Sequence, residues 1–155
     1  MPADGFLGSL RNVRPETTPE KIQELQNAAA AAAKNAYAPY SGFRVGAALL
    51  FDDGSMVTGC NVENISYGLT ICAERAALVR AISESAAQRR IVAVVITNLN
   101  GAASPPCGAC RQMLGEFVAE DAVVYFANGQ GGTRAVPFAE LLPYGFSDWK
   151  NNASC

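Results

Sequence analysis

Two short stretches of the chain carry groups able to do metal chemistry. They are Cys72-Ala73-Glu74-Arg75 and Pro106-Cys107-Gly108-Ala109-Cys110-Arg111-Gln112. Each reads as the opening turn of a helix, and together they offer three thiols and one acid. Three thiolates are one ligand short of a closed tetrahedral zinc shell, and the position left over can take water. A carboxylate that does not ligate can then move that water's protons, which is the equipment of a hydrolase acting on a small polar molecule. Taken alone, Cys107 and Cys110 fit a redox pair or half of a structural zinc knuckle as well as they fit catalysis. A redox pair needs no third cysteine, however, and a closed zinc site needs a fourth. Cys60, at the end of a strand, and Cys155, the last residue, are the remaining candidates, and both read as spectators.

Cys72 and Glu74 stand two apart, a spacing that in mid-helix points side chains about 200° away from each other. At a first turn the constraint relaxes, because an ion near the helix axis is reachable from both sides. By itself Glu74 would be read as an acid satisfying the helix dipole. Next to Cys72 it becomes the candidate proton carrier. Arg75 is placed to donate hydrogen bonds to thiolates and to offset their charge; its competing use is a surface ion pair with Glu63 or Glu84.

Composition bounds the rest. The 155 residues include 50% hydrophobic and 17% charged types, enough for one domain with its own core. The net charge is -2, the pI about 5.1, and no run of Lys or Arg exceeds Arg89-Arg90, so nucleic acid and anionic membrane are poor partners. The N-terminus lacks a basic start followed by an apolar run, and no stretch is apolar enough to span a bilayer. Five cysteines, an odd number, point to metal or redox use in a reducing cytoplasm. The chain has no histidine, which excludes serine–histidine and cysteine–histidine machinery.

The elements that must position these groups follow from periodicity. Residues 1–17 read as a tail, 18–147 as the domain and 148–155 as a C-terminal tail. Thr18-Pro19-Glu20 starts a helix whose apolar face (Ile22, Leu25, Ala29, Ala32, Ala36) runs to about Tyr37, before Pro39. Its alanines suit a thin helix pressed closely on a sheet. Strands are expected at 43–51 and 55–61 around the Asp52-Asp53-Gly54 turn, at 91–97, at 122–126 and at 134–136. Helices are expected from Cys72 to about Ala87, from Gly108 to about Val118, and at 138–142. The order predicts an α/β protein, a three-layer α/β/α sandwich with a mixed five-stranded sheet.

Read together, five co-linear motifs resemble the cytidine deaminase family in its small homotetrameric form. They are Tyr37-Ala38-Pro39-Tyr40-Ser41, Phe43-Arg44-Val45-Gly46-Ala47-Ala48, Gly59-Cys60-Asn61-Val62-Glu63-Asn64 and the two stretches that open this section. Glu140-Leu141-Leu142-Pro143 with Phe146 extends the match to about residues 20–147. Zinc deaminases as a class pair a non-ligand Glu with a Pro-Cys-x-x-Cys motif. The resemblance implies that Cys72, Cys107 and Cys110 bind Zn2+. It further implies that activated water attacks C4 of cytosine while Glu74 protonates N3 and later the departing amine, giving uridine and ammonia. It also implies that Asn61 and Glu63 clamp the ribose, that Phe43 packs on the base, and that the Ala73 backbone meets the pyrimidine edge. Tyr67 and Phe146 resemble aromatics that neighbouring subunits lend to the pocket, so a homotetramer is implied.

The expected activity is therefore zinc-dependent deamination of cytidine and 2′-deoxycytidine, as in pyrimidine salvage, with free nucleosides preferred because Glu63 would repel a 3′ phosphate. The chain departs from the family pattern at Ser104-Pro105-Pro106-Cys107, where a Ser or Thr usually precedes a single Pro-Cys. In the family that loop borders the leaving amine, so Pro105 raises the hypothesis that N4-substituted cytidines are tolerated. Three other readings compete. A blasticidin S-type deaminase is disfavoured by the intact Asn61/Glu63 pair, and a deoxycytidylate deaminase by the missing histidine ligand and basic cluster. A structural zinc module, the third, would show no turnover.

Overall fold

The computed structural model describes residues 17–84 and 86–146. Four α-helices and five strands alternate in it: α1 (Pro19–Ala33), β1 (Val45–Phe51), β2 (Met56–Cys60), α2 (Ala73–Ser83), β3 (Ile91–Asn98), α3 (Gly108–Gly115), β4 (Val118–Ala127), β5 (Thr133–Pro137) and α4 (Phe138–Leu141). The strands form one sheet in the order β2-β1-β3-β4-β5, with β3 and β4 parallel and every other pair antiparallel. This is the mixed five-stranded sheet the sequence predicts.

Side-chain alternation sends each strand's residues to opposite faces, and two separate cores result. Leu25 and Ala29 of α1 pack with Ala48, Leu50 and Val95 on one face. Ala77, Leu78 and Ala81 of α2, Leu114 of α3 and Phe138 of α4 pack with Leu49, Val94, Ile96 and Val124 on the other. The three layers are thus α1, the sheet, and the α2/α3/α4 layer. Helix-to-sheet contact is close where glycine and alanine meet. A Cβ on Gly46 would lie 1.8 Å from the carbonyl oxygen of Ala29, and one on Gly59 2.4 Å from the amide nitrogen of Ala77.

Several boundaries differ from the expected ones. Helix α1 stops at Ala33 and not near Tyr37, because Tyr37 is drawn into extended pairing: its N–H donates to Asn61 O (3.1 Å) and its carbonyl accepts from Glu63 N (2.8 Å). Helix α2 ends at Ser83 and α3 at Gly115, both short of expectation. Strand β4 begins at Val118, where the third helix was expected to end, because Ile91 N donates to Phe117 O (2.9 Å) and leads the chain straight into the sheet. A 3-10 turn at Tyr67–Leu69, in a segment expected to be plain loop, went unforeseen. The tail assignments at 1–17 and 148–155, and Cys155 with them, lie outside the described residues apart from Thr17.

Candidate zinc site and nucleoside cavity

Cys72 and Cys107 are the N-cap residues of α2 and α3, both extended in backbone, and neither side chain caps its helix. An N-cap side chain ordinarily accepts from the exposed amides of the first turn; here the sulfurs are left for another partner. Cys110 sits three residues beyond Cys107, in the first turn of α3, and is buried. The Sγ atoms of Cys72 and Cys107 are 3.9 Å apart, those of Cys107 and Cys110 are 3.5 Å apart, and all three lie within 4.8 Å of one another. Zinc–sulfur bonds of about 2.3 Å at tetrahedral angles put sulfurs roughly 3.8 Å apart, so the cluster fits one zinc ion. Among the described residues it is the only such group of potential ligands. Cys60 lies elsewhere, in a hollow lined by alanines of α1 and by Arg80, as a spectator should.

The electrostatics favour one thiolate in the cluster, that of Cys72. The Cys72 thiol is pulled down to about 5 by hydrogen bonding with Cys110, and also by Arg75 and Cys107, against the opposing effect of burial. Cys110 moves up, through the same hydrogen bond and its burial. Arg75 Nη2 donates to Thr70 O (3.1 Å) and to Cys72 Sγ (3.6 Å), so it serves the thiolate and not the expected alternative ion pairs with Glu63 or Glu84. Glu84 pairs instead with Arg80 at 2.9 Å.

Glu74, in the first turn of α2, is only 4% exposed. Burial, helped by the Cys72 charge, pushes its carboxyl up to about 7, although its own backbone amide and a Cys110 hydrogen bond oppose the shift. A carboxyl poised there can both take and give a proton near neutral pH.

A cavity of about 260 Å3 opens onto these groups. Phe43, Asn61 and Ala73 line it together with Cys72, Glu74 and Cys107. Thr70, Ile96 and Ala103, none of them singled out from the sequence, also line it, as does Ser104 of the loop expected beside the leaving amine. Pro105, expected to shape one side, is there too. The Asn61 amide does local work as well: its Oδ1 accepts from Val45 N (2.9 Å) and its Nδ2 donates to Phe43 O (2.8 Å), holding Phe43 in place.

Glu63 lies in an adjoining hollow of about 230 Å3 with Tyr40, Ser41, Tyr67 and Thr70. Its carboxylate accepts from Tyr40 N (2.9 Å), Ser41 N (3.2 Å) and the Ser41 hydroxyl, and the last of these leads in holding its pKa below the ordinary range. Asn61 and Glu63 therefore face two hollows that share Thr70. Tyr67 and Phe146 are each 74% exposed, and neither lines the larger cavity.

Three uncapped sulfurs beside a buried carboxyl, at the end of a cavity on a mixed sheet, define a zinc-dependent hydrolase centre. Residues 19–127 match the family model described as the cytidine and deoxycytidylate deaminase zinc-binding region. The chain is 48% identical over 125 residues to a cytidine deaminase of Halalkalibacterium halodurans, covering 81% of this chain and 93% of that protein. It is 46% identical to one of Sporosarcina psychrophila, covering 75% and 84%. Its fold superposes on the cytidine deaminase of Burkholderia pseudomallei with a TM-score of 0.72 at 44% identity, covering 80% of this chain and 98% of the other. The chain belongs to the cytidine and deoxycytidylate deaminase family, and zinc is its cofactor.

Proposed function

We propose that the chain hydrolyses the 4-amino group of cytidine and 2′-deoxycytidine, giving the uridine nucleoside and ammonia. The observation that carries this is the burial of Glu74 beside the converging sulfurs of Cys72, Cys107 and Cys110, at the end of a cavity of nucleobase scale. Those three cysteines are the residues that would hold zinc. When bound, zinc supplies Lewis-acid activation of the water nucleophile.

The chain's own groups do the rest. Glu74 accepts a proton from the water, passes it to N3 as the base loses aromaticity, and gives the second proton to the amine as the C4–N bond breaks. One carboxyl can serve as base and acid in a single turnover, and burial raises the Glu74 carboxyl in the direction that suits both roles. Arg75 keeps the Cys72 sulfur in its charged form. Phe43 packs on the base and the Ala73 backbone meets its polar edge, since both line the cavity. Asn61 and Glu63, reached through the two connected hollows, take the ribose hydroxyls. The negative Glu63 works against a phosphate there, which favours free nucleosides.

A homotetramer with shared sites is part of the reading. Tyr37, Val62, Ile65, Tyr67, Leu69 and Ile71 expose apolar surface in one region of the chain, the kind of surface a neighbouring subunit can cover. Tyr67 and Phe146 are then the aromatics that neighbours exchange. No described helix is long and apolar enough to cross a membrane. Thiols kept for metal suit a reducing cytoplasm, the compartment we assign.

The test is purified protein with cytidine, following loss of cytosine absorbance before and after zinc removal. Turnover that disappears with the metal and returns on adding it supports the proposal. A zinc-loaded protein that leaves cytidine and deoxycytidine untouched overturns it.

A further inference from the structure

We propose that Asn98 is a positioning residue for the part of the cavity that receives the 4-amino group, and so sets which amine substituents the enzyme accepts. The inference rests on the deaminase reading above. Asn98 ends β3 and is buried. Its Oδ1 accepts from Asn100 N (2.9 Å) and Ala102 N (3.2 Å), and its Nδ2 donates to Ala102 O (2.6 Å) and to Ser104 Oγ (2.9 Å). A side-chain amide has two acceptor sites and two N–H donors, so all four are used, and all within one six-residue loop. Such saturation folds residues 99–104 into a single shape, helped by Gly101 in the left-handed region (φ 72°).

That shape matters because of where the loop goes next. Ala103, Ser104 and Pro105 line the cavity, and the chain then reaches Cys107. In hydrolytic deamination the amine leaves the same carbon that water attacks. The leaving group therefore sits at the sulfur end of the cavity, beside this loop. Two further ties hold the loop from outside. Ser104 N donates to Ala127 O (3.2 Å), and Gly129 comes so close that a Cβ there would lie 3.1 Å from Ala103 N.

Asn100 carries the linkage across to the other aromatic-bearing wall. Its Oδ1 accepts from Arg44 N (3.1 Å), its Nδ2 donates to Gly42 O (3.4 Å), and Leu99 N donates to Arg44 O (3.0 Å). Gly42 and Arg44 flank Phe43. The Asn98–Asn100 pair thus ties the loop beside the amine to the segment that presents Phe43, and neither asparagine itself lines the cavity.

The test compares wild type, Asn98→Ala and Ser104→Ala with Val92→Ala, a core change on the α1 face, as a control for lost stability alone. Two readouts are taken on the zinc-loaded protein: the ratio of kcat/KM for cytidine to that for N4-methylcytidine, and amide hydrogen exchange at Asn100 and Ala102. Asn98→Ala is expected to move the ratio by at least about fivefold and to speed exchange at those two amides by at least about tenfold. Ser104→Ala, which removes one bond of the four, moves the ratio in the same direction by less. Val92→Ala leaves it unchanged. Should Asn98→Ala fail to fold, Ser104→Ala carries the test. A ratio within about twofold of wild type in every folded variant of the pair, or an equal shift in Val92→Ala, overturns the proposal. A wild-type enzyme inactive on cytidine would overturn the functional reading instead. The exchange measurement, which needs no substrate, would then still decide whether Asn98 pins the loop.

Discussion

Gln112 holds Phe146 by both of its backbone groups: Nε2 donates to Phe146 O at 2.8 Å, and Oε1 accepts from Phe146 N at 3.2 Å. A residue whose ring is left three-quarters exposed nevertheless has its backbone tied to α3, the helix that follows Cys107 and carries Cys110. If a neighbouring subunit's pocket receives that ring, Phe146→Ala should raise KM for cytidine by about tenfold while zinc content and melting temperature stay near wild type. Gln112→Ala should give a smaller rise of the same kind. Steady-state kinetics with light-scattering mass on the same samples would check both. An unchanged KM in a confirmed tetramer would remove Phe146 from the site.

Glu74→Gln should keep fold and zinc and lower kcat by about 10²–10⁴-fold, since it removes the one carboxyl that, among the described residues, is buried beside the sulfurs. The measurement is turnover alongside metal analysis of the same preparation.

The same substitution has a pH signature in metal-free protein. Burial raises the Glu74 pKa from 4.5 to about 7, so between those values the folded state binds a proton that the unfolded state has released. Stability from this group therefore falls as pH rises from 4.5 to 7 and is level above. Cys72, depressed to about 5 from 9.0, contributes the opposite slope between those two values, but it does so in both proteins. The difference between metal-free Glu74→Gln and metal-free wild type should thus grow in favour of the glutamine variant across pH 4.5 to 7, reaching on the order of 3 kcal/mol. Denaturant titrations at several pH values would show it; a pH-independent difference would refute the assigned burial effect.

Metal content separates the cysteines. Cys110→Ser should lose most bound zinc, whereas Cys60→Ser, which alters a thiol away from the cluster, should retain it in full. Metal analysis after gel filtration is sufficient.

Gly46→Ala should cost at least about 3 kcal/mol, because the added carbon would overlap the Ala29 carbonyl, and backbone cannot yield as a side chain can. Thermal melts against wild type would measure it, and a loss below about 1 kcal/mol would mean α1 sits further from the sheet.

Much of this was legible in the sequence, for local reasons. Cys72, Glu74, Cys107 and Cys110 announce themselves because cap and first-turn positions are set by a few neighbouring residues. The strands around Asp52-Asp53-Gly54 follow from turn chemistry, which is equally local. What escaped depended on partners far along the chain. Helix α1 ends early because Tyr37 pairs with Val62, a bridge no local period contains. The family resemblance implies that Asn61 and Glu63 form one clamp, and it does not show that Ser41 and Tyr40 hold the Glu63 carboxylate in a hollow of its own. Asn98 falls just beyond the strand expected at 91–97, and its four hydrogen bonds go to a loop whose shape no local pattern specifies.

The three sulfurs come from two helix starts separated by 35 positions, with β3 between them. Cys107 and Cys110 meet within one turn of α3, whereas Cys72 reaches them only through the packing of α2 and α3 on the same face of the sheet. A complete set of donors therefore exists only in the folded domain, and an ion held by the pair alone would have two protein ligands in place of three.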